Sequence, residues 1–158
     1  MVGGLVSSVK ILFVCHGNIC RSTMAQYVMQ DIIERRGLGG SFVIDSAACR
    51  NDEVGSPVHP GTREVLELQG IACGDHRARE VATIDAEAWD MIIGMDAENM
   101  CDLKRLLPAS AQRKCFKLLD FAGIDRDVAD PWYTGDFAAT FDDVVVGCRA
   151  LLASIGIR

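Results

Sequence analysis

Apolar residues gather at positions 9–14 into a run broken only by Lys10, whereas from 23 to 36 they recur as Ala25, Val28, Met29, Ile32 and Ile33. The run predicts a strand covered on both faces, and the spacing of three and four predicts a helix with one buried side. Gly37, Gly39 and Gly40 end that helix, and positions 42–45 return as a second strand, completing a βαβ unit whose crossover is expected to be right-handed. Ser46 is then expected at a strand end, on the same edge as Cys15. Further along, 62–69 repeats Val65, Leu66 and Leu68 as a short helix stopped by Gly70. Thr83 or Asp85 is expected to cap a short turn before a third buried strand at 91–94, and 96–107 reads as a helix ended by Pro108. A last strand is expected at 115–119. The tail, 137–155, carries Phe137, Phe141, Val144, Val145, Cys148, Leu151 and Leu152 on one side and should close the domain as an amphipathic helix.

Alternating strands and helices imply an α/β architecture: a three-layer, open, twisted parallel sheet of about four strands with helices on both faces, Rossmann-like in outline. In such sheets ligands bind outside the carboxyl ends of the strands, where the turn after position 14 falls.

A length of 158 residues, 49% of them hydrophobic, suits one domain over 1–158, with 1–8 open to disorder. The formal net charge of −6 argues against nucleic acid and anionic membranes as partners. Residues 1–8 lack a cationic region, and the apolar run at 11–14 is far short of the about 20 residues a membrane span takes, so the chain reads as cytoplasmic. Seven cysteines form an odd set with no repeated close spacing, which suggests neither a disulfide scaffold nor a zinc cluster. No metal or cofactor is expected.

The chemistry concentrates in Cys15-His16-Gly17-Asn18-Ile19-Cys20-Arg21-Ser22, between the first strand and the first helix. A helix start offers unpaired N–H groups and positive potential to an oxyanion, and Gly17 with Asn18 can adopt the backbone angles of a tight cradle. Arg21 can add a bidentate fork to the same anion. These features also favour the Cys15 thiolate, and Ser22 is positioned to donate its hydroxyl to the sulfur. Covalent phosphoryl transfer follows as the expected chemistry. Cys20, five residues from Cys15, is either a packing residue or a partner that joins Cys15 on oxidation.

The string V-C-H-G-N-I-C-R-S resembles the signature of the low-molecular-weight protein tyrosine phosphatases, and Asp130-Pro131-Trp132-Tyr133 is similar to the family's loop bearing the general acid. The resemblance implies that family's fold and a metal-independent phosphatase acting on phosphotyrosine proteins, with Cys15 as nucleophile, Arg21 as the phosphate clamp and Asp130 as acid and then base. The loop residues His16, Gly17, Asn18, Ile19, Cys20 and Ser22 would surround the phosphate, with inorganic phosphate as product. Asn18 would bridge loop groups, with Ser46 and His76 as further members of that network; a solvated histidine in a charged loop is the other reading of His76. Trp132 and Tyr133 would wall the entrance, against core packing as the competing explanation for Trp132. The opposite wall falls at 50–55, where this chain has Arg-Asn-Asp-Glu-Val in place of the aromatic often found there. A monomer or weak homodimer is expected.

Two rival activities share the loop. In phosphoarginine phosphatases a threonine stands at the position of Ile19, which favours tyrosine here. A thioredoxin-coupled arsenate reductase would need further cysteines, and only Cys73 and Cys101 offer themselves.

Overall fold

The structure, a computed structural model, describes residues 8–157. Most of the stretch expected to be open to disorder, 1–7, lies outside the described residues. Four parallel strands form one sheet: β1 (Val9–Cys15), β2 (Phe42–Ala48), β3 (Met91–Gly94) and β4 (Cys115–Lys117), in the order β2-β1-β3-β4. The chain leaves β1 to one side for β2 and returns to its other side for β3, so the switch point of the topology is β1 itself. The segment predicted to carry the chemistry starts at its carboxyl end.

Alternation along β1 sorts the two layers. Ile11, Phe13 and Cys15 face a core built with α1 (Arg21–Arg35), α2 (Pro60–Leu68) and α6 (Phe137–Ser154). Leu12 and Val14 face a smaller core that includes Ala47, Cys49, Ile92 and Leu103, on the side of α3 (Asp85–Ala88) and α4 (Ala97–Leu106). Ile11, Leu12, Phe13 and Val14 are fully buried, as a central strand of a three-layer sandwich requires. The helix α6 buries Phe141, Val144, Cys148, Leu151 and Leu152, the stripe its sequence predicts.

Three local expectations are corrected. The second strand runs on to Ala48, with Ser46 paired to Phe13 inside the ladder rather than at its end. The fourth strand stops at Lys117, because Leu118 and Leu119 turn into a 3-10 helix (Leu118–Ala122) that buries both against α6. Neither Thr83 nor Asp85 caps α3 with its side chain; the Asp85 carboxylate instead accepts from Ala82 N–H, Trp89 Nε1 and Arg79. Among the described residues no helix is long and apolar enough to cross a membrane.

Candidate active site

The loop from β1 to α1 wraps a cleft lined by Cys15, His16, Gly17, Ile19, Cys20 and Arg21 on its floor and by Asp52, Glu53, Asp130, Trp132 and Tyr133 at its mouth. The start of α1 is left open to an anion. Cys20 at the N-cap makes no capping hydrogen bond and no acidic residue stands in the first turn, so the helix N-terminus keeps its positive potential.

Asn18 bends this loop. It is the one non-glycine residue with positive φ among the described residues, at 60°, a conformation that asparagine tolerates better than other side chains bearing a β-carbon. Its buried amide makes four hydrogen bonds whose direction can be deduced. Arg79 N–H, which can only donate, reaches Oδ1 at 3.2 Å. Oδ1 is thus the acceptor, and His76 Nε2 at 2.8 Å must carry a proton to donate to it. Nδ2 donates to Ser46 Oγ at 2.9 Å and to Ser22 Oγ at 2.8 Å. Ser46 passes its own proton to Gln26 Oε1. Ser22 has its proton left for Cys15 Sγ, 3.1 Å away, and the Ser22 N–H also points to that sulfur at 3.4 Å. Asn18 and Ser22, grouped in the sequence with the phosphate binders, thus spend their side chains on the loop and the sulfur. Ser46 and His76 belong to the network.

Burial works against charge on Arg21, but Cys15, Asp96 and Asp130 outweigh it and hold the guanidinium cationic. Nη1 donates to Asp96 Oδ2 at 2.7 Å and to Val128 O at 2.9 Å. Nη2 lies 3.5 Å from Asp130 Oδ2, and Nε makes no hydrogen bond to the described residues. The fork is thus braced on one side and turned to the cleft on the other. Asp96 was missed by the sequence reading, although it stands just beyond the carboxyl end of β3, where ligand-binding residues are expected; its Oδ1 caps α4 through Asn99 N–H at 2.7 Å.

Asp130 caps the short helix α5 (Pro131–Thr134): Oδ1 accepts the Trp132 N–H at 3.0 Å, and Pro131 occupies the first helical position. The preceding residues are fixed on two sides, with Val128 N–H donating to Met95 O at 2.9 Å and Thr140 Oγ1 to Ala129 O at 3.2 Å. Trp132 is 59% exposed and Tyr133 84%, so both stand at the mouth and core packing does not account for either.

The facing wall is acidic. His16 Nε2 lies 2.9 Å from Asp52 Oδ2 and Nδ1 lies 3.6 Å from Glu98 Oε1. The Asp52 hydrogen bond, acting against partial burial and helped by the charges of Asp52 and Glu98, raises the His16 pKa. Arg50 turns away to a paired hydrogen bond with Asp102. Burial, then the negative charge of Cys15 and Asp130, pushes the Cys20 thiol up to about 12, so it remains protonated near neutral pH.

The chain is similar to known proteins in sequence and in fold. A family model described as low molecular weight phosphotyrosine protein phosphatase matches residues 10–157. The low molecular weight protein-tyrosine-phosphatase YfkJ of Bacillus subtilis is 40% identical over 149 residues, covering 93% of this chain and 96% of its own. The low molecular weight phosphotyrosine protein phosphatase of Schizosaccharomyces pombe is 37% identical over 134 residues, covering 83% and 85%. The crystal structure of YfkJ superposes with a TM-score of 0.88 over 94% of this chain and 95% of that one. The crystal structure of DARP, a drosophila arginine phosphatase, does so with a TM-score of 0.86 at 28% identity, covering 94% and 98%.

Proposed function

The chain belongs to the low molecular weight phosphotyrosine protein phosphatase family, and from that premise we propose that it hydrolyses phosphotyrosine in proteins in two steps through a phosphocysteine on Cys15. The observation that carries this reading is the buried Cys15 sulfur, with the Ser22 hydroxyl 3.1 Å from it and able to donate to its thiolate, beside an uncapped helix start.

The substrate phosphate sits in the loop, its oxygens bound by backbone N–H groups and by the Nε and Nη2 side of Arg21. The Cys15 thiolate attacks phosphorus in line with the ester oxygen; the S–P bond forms as the P–O bond breaks. Charge moving onto the equatorial oxygens meets donors already aimed at them, which lowers the barrier without reorganisation. Asp130, beside the mouth, protonates the departing phenolate, then takes a proton from the water that attacks the phosphocysteine. Inorganic phosphate leaves, and the thiolate returns to its hydrogen bond with Ser22. The single domain works in the cytoplasm as a monomer or weak homodimer.

Phosphotyrosine is favoured over phosphoarginine because Ile19 lines the cleft without a hydroxyl to offer to water and belongs to a small apolar cluster with Cys20 and Ala78 against which Phe137 packs. Rapid-quench labelling with ³²P-phosphotyrosine peptide tests the mechanism: a thiophosphate adduct forms on the protein and not on its Cys15→Ser variant, which still binds phosphate. Turnover by Cys15→Ser would overturn the assignment. Parallel assays on phosphotyrosine, phosphoserine and phosphoarginine peptides decide the substrate.

A further inference from the structure

His59 joins the phosphate loop to the Trp132 side of the cleft mouth. Its backbone N–H donates to Ile19 O at 2.9 Å, its Nδ1 accepts the Gly61 N–H at 2.9 Å as the N-cap of α2, and Thr62 Oγ1 donates to Cys20 O at 3.1 Å. The start of α2 is therefore pinned to the loop that would hold phosphate. The ring then reaches outward. It stacks on Phe137 with centroids 5.0 Å apart and planes 21° apart, and meets Trp132 nearly edge to face at 5.8 Å and 81°. Phe137 comes this close only because residue 61 is glycine, where a β-carbon would lie 2.5 Å from the Phe137 ring. Trp132 has little else to hold its indole: it is 59% exposed, and its Nε1 makes no hydrogen bond to the described residues.

Resting on the reading of the cleft as a phosphatase site, we propose that His59 is a positioning residue for substrate choice. Through the Phe137–His59 stack it holds Trp132 upright as the wall for an aryl ring, and so sets a preference for aryl over alkyl phosphates without touching the phosphate. The cap and the ring are separable functions. His59→Asn keeps a neutral side-chain acceptor for Gly61 N–H and removes the ring; His59→Phe keeps a ring and removes the acceptor.

With His59→Asn, KM for 4-nitrophenyl phosphate rises about 3- to 10-fold, the range an aromatic contact supplies, while inhibition by inorganic phosphate stays within about twofold. With His59→Phe, KM for the aryl ester stays near that of the unaltered protein although the cap is lost. Independently of turnover, acrylamide quenching of Trp132 emission, taken as the difference between each protein and its Trp132→Phe counterpart, increases in His59→Asn and not in His59→Phe. Unchanged quenching in His59→Asn, or a rise in KM matched by the inhibition constant for phosphate, overturns the proposal. Failure of the phosphatase reading would show separately, as absent turnover in the unaltered protein, and the quenching result would still decide whether His59 holds the wall.

Discussion

The Ser22 Oγ and Cys15 Sγ atoms lie 3.1 Å apart; toward a Cys15 thiolate, which has no proton to give, the hydroxyl is the donor, while its oxygen accepts from Asn18. A chain of amide, imidazole and hydroxyl groups thereby delivers one fixed donor to the sulfur. A hydrogen bond to a charged group is worth about 1.5–3 kcal/mol, so Ser22→Ala should lower kcat about 10- to 100-fold. The slower release of the thiolate from phosphorus should appear as a larger burst of 4-nitrophenolate ahead of the steady state. Alkylation of Cys15 by iodoacetate should slow as well. Full kcat in Ser22→Ala would refute a role for this donor.

Asp130→Asn keeps the cap on Trp132 N–H, since the amide oxygen can replace Oδ1, but removes the proton. The kcat/KM for phenyl phosphate should fall about 10²- to 10⁴-fold, with a much smaller loss for 4-nitrophenyl phosphate, whose leaving group needs little protonation. A flat dependence on leaving-group pKa in the variant, as in the parent, would assign the acid elsewhere.

Asn18 combines a backbone and a side-chain role that two variants separate. Asn18→Gly relaxes the φ of 60° but leaves Ser22, Ser46 and His76 without their shared partner. Asn18→Ala adds the left-handed penalty of about 1–2 kcal/mol. Urea unfolding should therefore rank the parent above Asn18→Gly and that above Asn18→Ala, with kcat low in both variants. Equal stability of the two would show that the backbone angle carries no cost.

Two histidines should titrate on opposite sides of the ordinary imidazole value of 6.5. His16 is raised by its hydrogen bond to Asp52, so its stabilising contribution is complete below 6.5 and disappears as pH rises through the folded pKa. Burial, acting first, and Arg79 lower His76 against the pull of Asp45; its neutral form stabilises the fold above 6.5, and this is lost as pH falls through the depressed folded value. NMR titration of the imidazole protons, assigned with His16→Gln, should place the midpoints in that order. Asp52→Asn should bring the His16 midpoint down. The reverse order would contradict the geometry of both sites.

Cys20 bears on oxidation. Part of what keeps its thiol protonated is the charge on Cys15, and conversion of Cys15 to a neutral sulfenic acid removes that contribution. Peroxide-treated protein should regain activity with a dithiol, and Cys20→Ser should recover less. Identical recovery would leave Cys20 as a packing residue.

The chain order alone displayed the elements that carry the site. An apolar run ending in Cys15, a glycine and asparagine in the turn, Arg21 opening a helix and Asp130 before Pro131 are local patterns, because strand burial, helix starts and turn chemistry are set by neighbours within a few residues. Ser46 and the end of β4 were misplaced for the converse reason. Where a strand stops depends on what packs against it, here Phe13 across the ladder and the face of α6 over Leu118 and Leu119.

The sequence determined that a thiol, a guanidinium and a carboxylate would be present at the mouths of an α/β fold, and the order in which they come. Folding decided which partners tune them: Asp96 bracing Arg21 from 75 residues away, Arg79 N–H fixing the orientation of the Asn18 amide, and His59 linking Ile19 to Trp132. These pairings depend on angle and distance between separate elements. Hydrogen bonds and ring contacts are lost over about an ångström or a few tens of degrees, a precision that no spacing along the chain encodes.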